Sequence, residues 1–347
     1  MKQKGIAVEI LIFAGIIIFV AALAVFVNLP SNPKTSSLPV LKKAPELTGT
    51  QQWINSQPLA LEKLKGKVVL IDFWTYSCIN CIRTLPYMND WHAKYADKGL
   101  VIIGVHTPEF EFEKDYGNVK QAVEKYGIKY PVVQDNDYGT WRAYENNYWP
   151  RKYLIDKDGN IRYDHIGEGG YQETEEAIQE LLREIRPDLK INMTEEEANT
   201  DFSQIGTPEI YLGYKFARAP LGNPEGFSPG NIVDYKAVNI TAVNIVYLSG
   251  QWKNDEDKII AVNNSKLFLA YKANKANIVA GGTSIIKTLL DGRQLNKNET
   301  GADTGENGVI LINENRLYNI ISTSGYEAHL LGIEASPGFE LYTFTFG

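Results

Sequence analysis

Cysteine is almost absent: two residues, Cys78 and Cys81, occur in a chain of 347. That is too few to scaffold a small secreted module with disulfides. Histidine is scarce too, with only His92, His106, His165 and His329, all far apart. A structural zinc site takes four ligands, and no second cysteine pair completes one. Positive charge is also short. Lys plus Arg number 35 against 42 Asp plus Glu, a formal net charge of -7. Nucleic-acid surfaces need a basic patch, so that class is excluded. An apolar content of 44% is ordinary and supports packed cores.

What is present centres on Trp74-Thr75-Tyr76-Ser77-Cys78-Ile79-Asn80-Cys81. The apolar run Val68 to Phe73 precedes it and reads as a buried strand. Leu85, Met88, Trp91 and Tyr95 follow at helical spacing, with Pro86 inside the helix, where it should introduce a kink. Closing so short a loop removes little unfolded-state entropy, so a purely structural staple is the weaker reading. The cysteines fall where a strand ends and a helix begins. Helix N-termini present free N–H groups and partial positive charge. That predicts a lowered thiol pKa for Cys78, the nucleophile, and a buried resolving role for Cys81. Half of a zinc site and a passive disulfide are the competing readings. No cofactor is expected.

In chain order, Ile10 to Val27 is an apolar run long enough to cross a bilayer, preceded by Lys2 and Lys4. An uncleaved anchor is expected; a signal peptide cleaved near Ala22-Leu23-Ala24 is the alternative. The expected organisation is an anchor over 1–28, a linker over 29–43, an α/β domain over 44–188, a linker over 189–204 and a β domain over 205–347. Further strands are expected at Leu100 to Val105, Tyr130 to Val133, Lys152 to Ile155 and Asn160 to Ile166. Helices are expected at Asn118 to Tyr126 and Glu173 to Ile185. This alternation implies an α/β layer fold.

Asp72-Phe73-Trp74 followed by Cys78-x-x-Cys81, then Pro86 and Pro150, resembles the thioredoxin superfamily. The lead-in Pro58 to Lys67 resembles membrane-tethered reductases of the TlpA/ResA type. The stretches Phe73 to Tyr87, Gly104 to Phe112, Asp135 to Tyr144 and Asn147 to Gly170 are similar to the soluble part of DipZ-type proteins. The resemblance implies a buried carboxylate at Asp72, which would take the proton from Cys81. It implies a cis-proline at Pro150 beside the cysteines, with the Trp149 backbone pairing to an extended substrate. Trp74 would pack near the site or in the core, and Ile79 and Asn80 would tune the redox potential. His106 and Glu109 follow the second strand at an active edge. They line the substrate groove or pair to stabilise the loop; both remain open. Thr75-x-x-Cys78 matches peroxiredoxins, but Ile71 stands where they carry proline, so thiol peroxidase is an alternative only.

After Pro187 the pattern changes to short alternating runs separated by Gly, Asn and Asp turns. This implies an all-β sandwich. Pro208 to Tyr214, Leu248 to Trp252 and Phe344 to Gly347 resemble the C-terminal, carbohydrate-binding-module-like (jelly-roll) domain of DipZ-type proteins. Trp252 is a candidate sugar platform or a core residue.

Together these readings predict a membrane-anchored, extracytoplasmic thiol–disulfide oxidoreductase acting on protein disulfides or dithiols. The expected span has no cysteine, so a separate membrane electron-transfer protein of CcdA type is expected. A cytochrome c or metallocentre maturation reductase is a narrower version. A surface protein binding a glycan or partner through the β-sandwich is the alternative from another class.

Overall fold

The computed structural model describes residues 37–195 and 205–347. The expected anchor and most of the two expected linkers lie outside these. Among the described residues no helix is long and apolar enough to cross a membrane.

The first domain is built on a seven-stranded sheet. Its strands are β1 (Lys42–Lys43), β2 (Trp53–Ile54), β3 (Val68–Trp74), β4 (Leu100–His106), β5 (Val132–Gln134), β6 (Arg151–Ile155) and β7 (Asn160–Ile166). The order is β1-β7-β6-β3-β4-β5-β2. β3, β4 and β5 run parallel, and β6 pairs antiparallel with β3. The helices are α1 (Ile79–Tyr95), α2 (Tyr116–Lys125), α3 (Gly139–Ala143) and α4 (Tyr171–Ile185). Helix α1 runs unbroken through Pro86.

Central strand β3 is buried at every position because both sheet faces are covered. Its period of two divides the side chains. Val68, Leu70 and Trp74 face a core shared with Leu85, Met88 and Trp91 of α1 and Ile178 and Leu182 of α4. Val69, Ile71 and Phe73 face Trp141, Tyr144 and Tyr153 on the other side. Asp72 shares the first face, so alternation puts a carboxyl into the apolar layer beneath α1.

The second domain is a large β domain of twelve strands. The long strand Val246–Asn254 serves two strand groups. Its first half pairs with Ser265–Lys272, and its second half with Ile232–Tyr235 and Ile259–Ala261. The change of partner falls at Gly250, whose φ of +87° suits only glycine and whose Cβ would strike Ser265 Oγ. One apolar cluster containing Trp252, Leu267, Ile286, Leu331 and Phe344 fills the interior.

The two domains touch through aromatic rings. Phe110 and Phe112, in the loop after β4, meet Tyr342 with ring centroids 5.1 and 4.8 Å away. Phe110 also packs on Tyr211 of β8 (Ile210–Tyr211). Tyr76, two residues before Cys78, donates to the Asn315 carbonyl at 3.2 Å.

Candidate redox site

Cys78 is the N-cap of α1, and its Sγ accepts the Cys81 N–H at 3.2 Å. A helix start leaves such N–H groups without backbone partners, so a sulfur there is well placed to accept one. Both cysteines are free thiols. Cys78 is partly exposed and Cys81 is fully buried, the asymmetry expected of an attacking and a resolving thiol.

The expected lowering of the Cys78 thiol pKa does not hold in this arrangement. Burial pushes the thiol up, and the Glu109 and Glu209 carboxylates push it further, against the Cys81 hydrogen bond. The helix N-terminus is outweighed first by burial and then by carboxylates, one of which, Glu209, is brought in by the second domain. Burial also pushes the Cys81 thiol well above its ordinary value.

Asp72 lies behind Cys81, fully buried, and neither carboxyl oxygen has a hydrogen-bond partner among the described residues. Burial pushes it up to about 6, partly opposed by Lys152. Lys152 stands directly across from Asp72 in the β3–β6 register. It is fully buried, its Nζ also lacks a partner among the described residues, and burial lowers its pKa. Trp74 Nε1 and the Tyr130 hydroxyl are unpartnered in the same way. Gly104 lets these rings approach, since a Cβ there would lie 3.0 Å from Trp74 Nε1 and 3.2 Å from Tyr130. Lys152 was not singled out from the sequence. Its signal was a lysine inside an apolar strand two residues after Pro150.

The Trp149–Pro150 peptide bond is cis. Pro150 is buried, and its carbonyl accepts the Gly167 N–H. Trp149 is half-buried against Trp141, with its Nε1–H donating to the Thr107 carbonyl at 3.0 Å. Ile79 is buried and Asn80 is half-buried on the first turn of α1.

His106 and Glu109 do not act as a pair. His106 is fully buried, 3.3 Å from Thr75 Oγ1, and packs edge-on to Trp74 and stacked on Tyr76. Burial lowers it to about 3, so it is neutral and does not line the groove. Thr75 is thus turned to His106, whereas the Cys78 sulfur is held by Cys81 N–H, which favours dithiol exchange over peroxidase chemistry. Glu109 is partly buried, and its Oε1 accepts from the Tyr211 hydroxyl at 2.6 Å. Glu113, unremarked in the sequence, is buried and accepts from Ser77 Oγ, Glu109 N and Phe110 N at 2.5, 2.6 and 3.0 Å. It ties the residue before Cys78 to the loop after β4.

In the β domain, Trp252 is fully buried and donates from Nε1 to the Ser249 carbonyl. It is a core residue, and burial removes it as a sugar platform.

Comparison with known proteins agrees with this geometry. Residues 40–164 match the AhpC/TSA family, and residues 207–347 match the thioredoxin like C-terminal domain. Protein DipZ of Mycobacterium tuberculosis is 35% identical over 311 residues, covering 88% of this chain. The chain spans only 43% of the length of that relative. Thiol-disulfide oxidoreductase YkuV of Bacillus subtilis is 34% identical over 140 residues, covering 40% of this chain and 94% of YkuV. Thiol-disulfide oxidoreductase ResA of Bacillus thuringiensis is 34% identical over 146 residues, covering 42% of this chain and 78% of ResA.

Proposed function

The chain belongs to the thioredoxin-like thiol–disulfide oxidoreductases, and we propose that it reduces protein disulfides outside the cytoplasm through Cys78 and Cys81. The observation that carries this is the placement of the two sulfurs. Cys78 is partly open at the helix N-cap, while Cys81 is buried one turn in, above Asp72.

Cys78 thiolate attacks one sulfur of a substrate disulfide, forming a mixed disulfide and releasing the first substrate thiol. Asp72, ionised at neutral pH with a value of about 6, accepts the Cys81 proton. Cys81 thiolate then attacks Cys78 Sγ. The second substrate thiol leaves, and Cys78–Cys81 becomes a disulfide. Two electrons pass to the substrate. As the family resemblance implies, the Trp149 backbone and Pro150 would border the approach of an extended substrate chain.

Regenerating the dithiol needs a donor. The apolar run Ile10 to Val27 contains no cysteine, so the proposal assigns it to anchoring and the electrons to a separate membrane protein of CcdA type. The β domain, taken as a jelly-roll sandwich of carbohydrate-binding-module-like form, serves the redox site; with Trp252 buried, no specific feature favours a glycan.

The test is the reduction potential of the Cys78–Cys81 pair, equilibrated against defined thiol buffers. A value near about -270 mV, the range of thioredoxin, supports a reductase. A value near about -120 mV, the range of DsbA, makes it an oxidant and overturns the direction proposed.

A further inference from the structure

Tyr211 joins two carboxyl groups across the domain boundary. Its hydroxyl lies 2.6 Å from Glu109 Oε1 and 3.2 Å from Glu209 Oε2. A phenol has one hydrogen to donate. Once it serves one carboxylate, the second contact is a hydrogen bond only if the other carboxyl is protonated and donates to the phenol oxygen. Geometry therefore calls for one proton beyond the phenol's own.

The surroundings fit that count. Glu113, packed beside Glu109, is pushed up by burial, but donors from Ser77, Glu109 N and Phe110 N oppose that shift and give its oxygens partners outside the Tyr211 pair. The Arg218 guanidinium lies over the Tyr211 ring at 4.9 Å. The Tyr138 hydroxyl is engaged by the Pro108 carbonyl. Ser77, the residue before Cys78, donates to Glu113, which also accepts Glu109 N, so the cysteine's own segment is tied to the cluster. The charges of Glu109 and Glu209 act on the Cys78 thiol from this side, and those of Asp72 and Lys152 lie toward Cys81. Burial pushes Glu109 up to about 8, with the Glu113 carboxylate adding to the effect, and burial pushes Glu209 up as well.

We propose that Glu109, Tyr211 and Glu209 share one proton across the domain boundary, and that this cluster, completed by the β domain, governs the reactivity of Cys78. Glu209 and Tyr211 are positioning residues that act through their field at the sulfur. The inference rests on the assignment of Cys78 as nucleophile. With the shared proton the cluster carries one negative charge; without it, two. The second charge beside Cys78 makes the thiol harder to ionise. The reactivity of Cys78 therefore climbs less steeply once the shared proton leaves.

The full chain is alkylated with iodoacetamide from about pH 6 to about pH 10, and the Cys78 adduct is followed by mass spectrometry. The wild-type profile is expected to flatten near pH 8, where Glu109 ionises. Glu209→Gln removes the flattening and alkylates roughly three- to tenfold faster at about pH 9, since one pH unit of thiol shift is tenfold in thiolate. Tyr211→Phe keeps the ring but moves the flattening to higher pH, because the phenol hydrogen bond favours the ionised carboxyls. A protonated-carboxyl infrared band of the wild type, lost between about pH 7 and about pH 9, checks the same proton without a variant. Coincident profiles for all three proteins, or no such band, overturn the proposal. Alkylation at Cys81 but never at Cys78 overturns the nucleophile assignment itself, and the proposal with it.

Discussion

The space behind Cys81 and the space in front of Cys78 each hold a carboxyl, but they are built in opposite ways. Behind, Asp72 and Lys152 face each other within one sheet, fully buried, with their charged atoms unpartnered among the described residues. In front, Glu109, Glu113 and Glu209 are laced into hydrogen bonds from Ser77, backbone N–H groups and Tyr211. The back belongs wholly to the first domain; the front needs both. A buried polar group left without a partner opposes folding and is retained where chemistry uses it. A satisfied cluster at an interface instead fixes how two surfaces meet. The comparison thus separates a proton acceptor for Cys81 from a device that governs access to Cys78.

The sharpest break is at the sulfurs. Cys78→Ser is expected to abolish disulfide reduction, a loss beyond about a thousandfold in a turnover assay, because no mixed disulfide forms. Asp72→Asn breaks the back alone. It is expected to slow release of the mixed disulfide roughly a hundredfold at neutral pH, the scale of one lost general base. In the wild type that rate should rise with pH through about 6 as Asp72 ionises, and in Asp72→Asn it should be flat there. Stopped-flow fluorescence with a labelled substrate disulfide separates the two profiles.

Phe110→Ala breaks the front alone. Phe110 is 2% exposed and sits against Tyr342 and Tyr211. Its truncation is expected to cost about 3 kcal/mol and to split a joint denaturant transition into one for each domain. Retention of one transition with an unchanged midpoint would show that the interface contributes nothing.

The smallest effect tests the cost of the back. The Asp72 carboxyl titrates higher in the folded state, at about 6, than its ordinary value of 3.8, so the folded state binds more protons in between. Its penalty is absent below about pH 4, grows to about pH 6 and persists above. The double variant Asp72→Asn, Lys152→Met is therefore expected to be more stable than wild type by about 2 kcal/mol at pH 7, with the gain shrinking in acid. Urea midpoints at pH 7 and near pH 4 check the sign.

Much of the back was legible in the chain. Strand β3, helix α1 and the cysteine pair follow from local pattern and spacing, and the buried carboxyl six residues upstream from the family resemblance. Lys152 was not, because its meaning depends on standing opposite Asp72 in a strand pair. The front was scarcely legible at all. Glu109 was visible as a loop carboxyl, but Tyr211 reaches it across 102 positions, and no local periodicity encodes that contact. The same blindness explains the thiol. A helix N-terminus alone argues for an acidic Cys78, and what opposes it is burial first and then carboxylates from the loop after β4 and from the second domain. His106 misled for a related reason: an active-edge position in sequence proved to be an inward-facing one in the packed loop.

The most direct test of the account is trapping with the resolving thiol removed. Cys81→Ser, incubated with an oxidised protein substrate, is expected to accumulate a stable mixed disulfide mapped by mass spectrometry to Cys78. Cys78→Ser is expected to accumulate none, because Cys81 is fully buried. Adducts forming on Cys81 in Cys78→Ser, with none on Cys78 in Cys81→Ser, would contradict the assignment of nucleophile and resolving thiol on which the mechanism stands.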